Sequence, residues 1–192
     1  MPSAMIHLLA AKKYNENGSA SFFIGNLAPD SIEDRIPKDK IHFRDKEDRM
    51  QTLADFAKSI DLHDEFCLGY VLHLFLDLLW DKGPQVEHKR DFAGDKDDWF
   101  VTYRKEIARA TVALYRSFAW AEPLFDAMVA CPPAAYAGVP SMPVDLITQE
   151  IARKARNHKN AGADAPSYFS NESIEAFTDF AVKSFTDWLG AL

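Results

Sequence analysis

The sequence predicts an all-α fold: a single-domain bundle of about six or seven helices around a buried central helix at about residues 63–81. Three observations lead to this prediction. Apolar residues recur at three- and four-residue spacing in most segments, no segment alternates with a period of two, and one apolar run lies between helix start and stop residues. A chain of 192 residues is a usual size for one domain, so residues 1–192 are assigned to a single helical domain.

The beginning of the chain predicts one helix followed by a less regular region. Ser3 is suited to cap a helix that ends near Asn15. Residues 22–27 are apolar, and Pro29 directs the residue before it away from helical geometry. Residues 30–44 are therefore predicted to form a polar, irregular stretch.

The remainder of the chain predicts helices separated by glycine and proline. The central helix should end at Gly83-Pro84, since this dipeptide stops a helix. Further amphipathic helices are predicted at residues 45–60, 95–121, 144–156 and 172–189. A loop is marked by Pro132, Pro133, Pro140 and Pro143.

Charge and hydropathy exclude some classes of function. The net charge of −7 argues against binding to extended nucleic acid or to an anionic membrane. A small phosphoester substrate remains compatible, because one divalent cation reverses the local field. The apolar run at residues 66–80 is shorter than the ~20 residues that span a bilayer. We therefore expect no stable membrane insertion.

The N-terminus and the cysteines indicate a cytoplasmic protein. The first residues lack the basic region that precedes a secretory signal, and His7 interrupts their short apolar stretch. Cys67 and Cys131 have no CxxC partner, and free thiols in a reducing compartment are the favoured interpretation.

The central helix contains two ionisable residues where a core helix should have none. Residues 66–80 are apolar except for Gly69, His73 and Asp77. A buried carboxylate is costly unless it is paired or binds a metal. His73 and Asp77 are four residues apart, so they lie on one face and can give two ligands to one cation. A buried pair in which the two side chains satisfy each other is an equally good interpretation of this segment alone.

Three residues elsewhere favour the metal site. His7 and His42 each lie among apolar neighbours, and Asp30 follows an Ala-Pro turn. Each histidine alone is more often structural. Their presence together with Asp30 makes a separate explanation for each of them less economical.

The order of these motifs resembles the zinc-dependent phospholipase C family, in particular its short bacterial members. The motifs are MIHLLA, GNLAPD, KIHF and LGYVLHLFLD, which together lie within roughly the first 85 residues. The resemblance implies an all-helical fold, shared with single-strand-specific zinc nucleases, and a zinc site. The matching positions are His7, Asp30, His42, His73 and Asp77.

The sequence departs from the three-zinc members of that family. Those members have another histidine shortly after the aspartate of the H-x-x-x-D pair, and then a later H-x-x-x-E pair. No H-x-x-x-E pair occurs in this sequence. One or two ions are therefore expected. Whether Asp81 or His88 joins the site is left open, and the polar segment around His88 favours an exposed loop. Adjacent His-Asp, the signature of another class of metal phosphohydrolases, occurs only at His63-Asp64, which more simply begins the central helix.

These residues predict a hydrolase of phosphoesters that uses water activated by the metal. His42, His73 and Asp77 are assigned to a first ion, and His7 to a second ion that Asp77 bridges. Asp30 is either a ligand or the catalytic general base. Zinc is the expected metal, with iron or manganese as alternatives. The alternative function is a non-catalytic helical protein that keeps a structural metal or a buried polar pair and acts through partner binding.

Two groups of cations near these motifs have simpler interpretations. Those in the region of residues 35–40 are favoured as a solvated loop, with contact to a substrate phosphate as the alternative; they are Arg35, Lys38 and Lys40. The second group lies near the end of a predicted helix, where cations interact with the helix dipole. It comprises Arg153, Lys154, Arg156, His158 and Lys159. Phosphate binding is the lesser alternative for this group. The oligomeric state is left open.

Overall fold

Every regular element is a helix in the part of the chain that the computed structural model describes, residues 2–95, 98–136, 142–162 and 164–192. The α-helices are α1 (Ala4–Tyr14), α2 (Ala20–Gly25), α3 (Arg35–Ile41), α4 (Arg49–Ser59), α5 (Glu65–Lys82), α6 (Pro84–Asp91), α7 (Trp99–Ser117), α8 (Ala121–Ala130), α9 (Val144–Asn160) and α10 (Asn171–Leu189). Short 3-10 turns occupy Ala28–Ser31 and Pro133–Tyr136. The predicted all-α class is confirmed.

Helix α5 is the centre of the bundle, as predicted. The side chain of Asp64 caps its first turn by accepting a hydrogen bond of 2.9 Å from the backbone N–H of Cys67. Almost every side chain from Phe66 to Trp80 is buried, which means that other helices cover all faces of α5. This burial explains why the helix is apolar on all faces. Helices α1, α2, α4, α6 and α10 pack around it. Trp80 is fully buried and donates a hydrogen bond to the hydroxyl of Tyr103 in α7.

Two glycines allow α2 and α5 to approach at backbone contact. A Cβ atom on Gly69 would overlap the carbonyl oxygen of Phe22, and a Cβ atom on Gly25 would overlap that of Phe66. No larger residue fits at either position without moving a helix. The close crossing brings the chain that follows α2 against the next turns of α5.

The C-terminal helices form the outer part of the bundle. Helix α10 buries one face, which includes Ile174, Ala181 and Phe185, against α1, α5 and α7. Helix α9 packs on α7 and α8. Helices α9 and α10 confirm the predicted helices at residues 144–156 and 172–189, although α9 continues for one more turn.

Three predicted boundaries were wrong. The stretch 30–44 contains the short helix α3, which buries none of its residues and so carries no apolar periodicity in the sequence. The polar segment after Pro84 forms α6, with the proline at its first position, where it is tolerated. The predicted helix 95–121 ends at Ser117 because Phe118 adopts an extended backbone, with φ −110° and ψ 111°, and the separate helix α8 was not predicted.

The remaining predictions concern loops and bilayer crossing. The predicted proline-rich loop contains the 3-10 turn at Pro133–Tyr136. Pro140 of this loop lies outside the described residues. Residues 96 and 97 of the predicted helix 95–121 also lie outside them. Cys67 and Cys131 are both free thiols. Among the described helices, none combines the length and the apolar character needed to cross a bilayer.

Candidate metal centre

The five residues that the sequence singled out lie together in the structure. His7 comes from α1, Asp30 from the first 3-10 turn, His42 from the residue that ends α3, and His73 and Asp77 from α5. We call these five residues the His/Asp cluster. Their side chains are buried, with 9% exposure for Asp30 and at most 2% for the others.

The distances within the His/Asp cluster resemble those between ligands of one metal ion. His42 Nε2 lies 3.1 Å from His73 Nε2 and 3.4 Å from Asp77 Oδ2. His7 Nε2 lies 3.4 Å from Asp77 Oδ1, and His42 Nε2 lies 3.6 Å from Asp30 Oδ1. Metal–nitrogen bonds of ~2 Å in tetrahedral geometry place neighbouring ligand atoms ~3.3 Å apart. Most of these contacts are longer than ordinary hydrogen bonds and close to that spacing.

Two overlapping groups of three residues have ligand atoms close enough to hold a cation. One group is His42, His73 and Asp77, and the other is His7, Asp30 and His73. The first is the set predicted to hold the first ion. The second ion was predicted to bind His7 and a bridging Asp77. The second group instead combines His7 with Asp30 and His73. His7 also faces Asp77 Oδ1.

The hydrogen bonds of His42 and His73 determine which nitrogen of each ring carries the proton. His73 Nδ1 donates to the backbone carbonyl of Asn26, and His42 Nδ1 donates to that of Lys38, each at 2.8 Å. With Nδ1 protonated, each neutral ring has a lone pair on Nε2. The two lone pairs then point toward each other across 3.1 Å, which is repulsive unless a cation or a proton lies near them. Carbonyl contacts of this kind orient histidine ligands in metal proteins.

His7 has no hydrogen bond to satisfy its ring. Its two nitrogens are buried, and the contact from Nε2 to Asp77 Oδ1, at 3.4 Å, is too long for a well-formed hydrogen bond. Its ring stacks on His73, with centroids 3.9 Å apart and planes inclined by 10°. A buried imidazole without hydrogen bonds costs about 1–3 kcal/mol, so the position of His7 favours a further ligand.

Local backbone structure positions the cluster. The glycine crossing of α2 and α5 places the Asn26 carbonyl beside His73. After α3, Phe43 adopts a positive φ of 53°, which a non-glycine residue rarely takes. This turn lies between His42 and Arg44, and both of these side chains contact Asp77. Strained residues of this kind often lie beside functional sites.

Three cations border the His/Asp cluster. Lys38 lies 2.8 Å from Asp30 Oδ1, and Arg44 donates a 2.8 Å hydrogen bond to Asp77 Oδ2. Arg44 and Arg49 both bind Asp81, which lies one turn beyond Asp77. Asp81 thus pairs with arginines at the edge of the cluster. The interpretation of Lys38 as part of a solvated loop was wrong, since only 17% of its side chain is exposed.

Burial determines the charge state of the histidines. It lowers the pKa of His73 well below the ordinary value, outweighing the neighbouring carboxylates, which favour the charged ring. It also lowers the pKa of His42, despite Asp77 and Asp30. Both rings are therefore neutral at pH 7, which is the form that binds metals.

The two carboxylates of the cluster are ionised. Burial alone would raise the pKa of Asp30, but the neighbouring His73 ring and the Lys38 ammonium lower it well below its ordinary value. The pKa of Asp77 is also lowered, because the adjacent histidine rings outweigh the effect of burial. The cluster therefore presents neutral nitrogens and anionic oxygens, which is a donor set suited to zinc, iron or manganese.

Asp30 connects the cluster to open space. It lines a cavity of about 680 Å³ together with Lys38. Arg44 and Asp81 line a second cavity of about 1000 Å³, which Lys38 also borders. His7 and His73 have no exposed surface. A small molecule would therefore approach the cluster beside Asp30 and Lys38.

His88 has a structural environment away from the five residues. The expectation of an exposed loop was wrong, because His88 lies in α6 and is 4% exposed. Its Nδ1 accepts a 2.9 Å hydrogen bond from Trp99, and its ring packs among Tyr103, Tyr168 and Phe169. The sequence did not reveal this burial because the apolar partners come from α7 and the segment before α10.

Sequence reasoning missed two contributors to the site. Asn26 contributes a backbone carbonyl, which every residue has, so no sequence pattern marks it. Arg44 follows His42 by two residues, and a cation so close to a predicted ligand was the available signal.

Comparisons with known proteins give no relative for this chain. No protein-family model matches it, and neither a curated protein nor a solved structure matches it. The resemblance to the zinc-dependent phospholipase C family therefore rests on the order of the motifs alone and stays a prediction.

Proposed function

We propose that this protein is a metal-dependent hydrolase of phosphoesters, with the His/Asp cluster as its metal site. One observation carries the proposal: the Nε2 lone pairs of His42 and His73 converge at 3.1 Å beside two carboxylates, while both Nδ1 atoms are held by backbone carbonyls. This arrangement is typical of neutral imidazole ligands that are oriented by a hydrogen bond from the ring nitrogen that does not bind the metal. The motif order that resembles the zinc-dependent phospholipase C family supports the same reaction.

The proposed ligands divide between one or two ions. His42, His73 and Asp77 hold the first ion, for which zinc is the proposed metal and iron or manganese are alternatives. His7 binds a second ion where one is present. Asp77 is suited to bridge the two, because its Oδ1 faces His7 and its Oδ2 faces His42, each at 3.4 Å. Arg44 holds Oδ2 and so fixes the orientation of this carboxylate.

The neighbouring residues supply the other parts of a hydrolytic site. A bound divalent metal lowers the pKa of water and neutralises charge on a phosphoryl oxygen. Asp30, at the edge of the cavity and ionised, is placed to accept a proton from the attacking water. Lys38 and Arg44 flank the entrance and are placed to contact the non-bridging oxygens of a phosphate. The proposed substrate is therefore a small phosphoester.

A specific observation favours a second candidate function. Both carboxylates already have cationic partners, Lys38 for Asp30 and Arg44 for Asp77. A buried network of this kind can fix the packing of helices without a metal ion. In that case the chain is a non-catalytic helical protein that acts through partner binding.

The metal content of the purified protein distinguishes the two functions. We expect protein prepared without added metal to contain zinc, iron or manganese by elemental analysis, and His73→Ala and Asp77→Ala to lose it. His63→Ala is the matched control, because His63 is an exposed histidine just before the same helix. Equal metal content in the two cluster variants and in the unmodified protein would refute the assignment.

Activity is tested on the metal-loaded protein. We expect hydrolysis of generic aryl phosphomonoesters or phosphodiesters, with a decrease in kcat of at least ~100-fold in Asp30→Asn if Asp30 is the general base. A metal-loaded protein that is inert toward both substrate classes supports the non-catalytic alternative.

We also propose a cytoplasmic location. The two cysteines are free thiols, as expected in a reducing compartment.

A further inference from the structure

The two cavities beside the His/Asp cluster adjoin each other along one wall. Lys38, Arg104 and Ala108 line both the cavity of about 1000 Å³ and the cavity of about 680 Å³. The smaller cavity is an open groove lined by Ser3 at the start of α1, by α7 and by α9. A ligand whose reacting group lies at Asp30 therefore has room to extend along α7, away from the cluster.

The smaller cavity has one uncompensated positive charge. Its carboxylates are each paired: Asp30 with Lys38, and Glu150 with both Arg153 and Lys154. Glu33 lies 3.9 Å from Arg153. Arg104, in contrast, is a solvent-exposed side chain that makes no hydrogen bond or ion pair with any residue that the structure describes. Its guanidinium group is therefore free to bind an anion, and its geometry suits a phosphate or a carboxylate.

Two polar atoms in the same cavity also lack partners. Ser3 Oγ is buried without a hydrogen bond, although Ser3 precedes α1 and could have capped it. His158 Nδ1 is likewise unsatisfied, and this residue is only 8% exposed. Buried polar groups in folded proteins nearly always have a partner. The free arginine and two unsatisfied polar atoms therefore point to one polar ligand in this cavity.

We propose that this cavity is a second anion-binding subsite, and that the substrate carries a carboxylate or phosphate group in addition to the phosphoester that reacts. Arg104 forms the ion pair, Ser3 donates a hydrogen bond, and His158 contributes the third polar contact. This inference rests on the proposed function for the identity of the reacting group. The subsite itself does not depend on the metal.

The subsite is tested first on protein from which metal has been removed with a chelator. Inorganic phosphate is titrated and followed by calorimetry. We expect saturable binding that weakens at least tenfold in Arg104→Gln and about threefold in Ser3→Ala. Lys105→Gln is the matched control, because it removes the same charge from the adjacent position of α7 and this residue does not line the cavity. Absence of phosphate binding, or an equal effect of both charge variants, would overturn the subsite whether or not the protein is a hydrolase.

The second test distinguishes a substrate group from a free anion. Phosphoesters whose alcohol portion carries a carboxylate are compared with the same esters carrying a carboxamide, using the metal-loaded protein. We expect a kcat/KM at least tenfold higher for the carboxylates, and we expect Arg104→Gln to abolish this preference through KM. If phosphate binds at Arg104 but the two esters react equally, the cavity holds a separate anion and the proposal for the substrate is wrong. An inactive protein that still binds phosphate through Arg104 would count against the hydrolase and not against the subsite.

Discussion

At the scale of single residues, His7 shows how a buried side chain can indicate a ligand. It is fully buried, it stacks on His73, and neither of its nitrogens has a hydrogen bond. In a purely structural role, a phenylalanine would serve as well, because only the stacked ring would matter. In a ligand role, the nitrogen that faces Asp77 is essential.

His7→Phe distinguishes these two roles, because it keeps the stacked ring and removes the nitrogen. Ligand binding to the folded state raises the melting temperature. Loss of one ligand should weaken zinc binding at least ~10-fold, or about 1.4 kcal/mol. We therefore expect the rise in Tm on adding zinc to be smaller by about 3–6 °C in His7→Phe, measured by calorimetry with and without zinc. An identical zinc-dependent rise in both proteins would mean that His7 does not bind the ion.

The same scale explains which site residues the sequence could reveal. His73 and Asp77 stand out because ionisable side chains interrupt an apolar helix, and burial makes such an exception costly. Asn26 does not stand out, since its contribution is a main-chain carbonyl. The role of Lys38 depends on α3, which the sequence pattern did not predict.

At the scale of elements, the crossing of α2 and α5 determines whether the cluster can form. Gly69 and Gly25 remove the side chains that would separate the two helices. The side-chain amide of Asn26 then donates a hydrogen bond to the backbone carbonyl of Gly69. The backbone carbonyl of Asn26 accepts a hydrogen bond from His73 Nδ1. The position of a proposed ligand thus depends on a contact between helix backbones.

Gly69→Ala should destabilise the protein even though alanine is the better helix former. The added methyl group overlaps backbone atoms of α2, which costs about 3 kcal/mol and outweighs the gain in helix propensity of about 1 kcal/mol. The free energy of unfolding in urea measures this change. Zinc affinity should fall as well, because the Asn26 carbonyl moves away from His73.

Gly162→Ala provides the control, since a Cβ atom there has no neighbour within 4 Å. It should change the stability by less than ~0.5 kcal/mol. Equal stability of the two alanine variants would show that the crossing of α2 and α5 can relax.

At the scale of the whole molecule, buried neutral histidines connect stability to pH. The pKa values of four histidines are lowered by burial: His42, His73, His88 and His158. For His158 the pKa falls to about 4, with Lys154 adding to the effect of burial. The rings of Tyr115 and Phe125 pack against it and offer no charge to compensate a proton.

The metal-free protein should therefore lose stability as the pH falls from about 6.5 toward 4. In this range the unfolded chain binds a proton at His158 and the folded chain does not, so the stability present above pH 6.5 is progressively lost. At pH 4.5 the loss from His158 alone is about 2.5 kcal/mol. Urea unfolding at several pH values measures it, and His158→Gln should give a flatter dependence. A wild-type curve that is flat between pH 6.5 and 4.5 would contradict the burial of a neutral ring.

The sequence by itself determined the helical class, the buried central helix and the five candidate ligands. The class, the central helix and the pair His73 and Asp77 follow from local patterns: apolar residues at helical spacing, or charges within an apolar segment. The other three candidates, His7, Asp30 and His42, came from their joint presence and from the order of the motifs. Among the helices that were missed, α3 and α6 have little or no apolar face to produce such a pattern. Helix α8 was also missed, although it buries Phe125 and Met128.

Only the tertiary structure decided how those residues meet. It placed two Nε2 atoms 3.1 Å apart, paired Arg44 with Asp77, and buried His88 among aromatic rings. These contacts join residues that are far apart in the chain, and their distances depend on the packing of whole helices. No periodicity along one segment can encode them, because packing is a relation between segments.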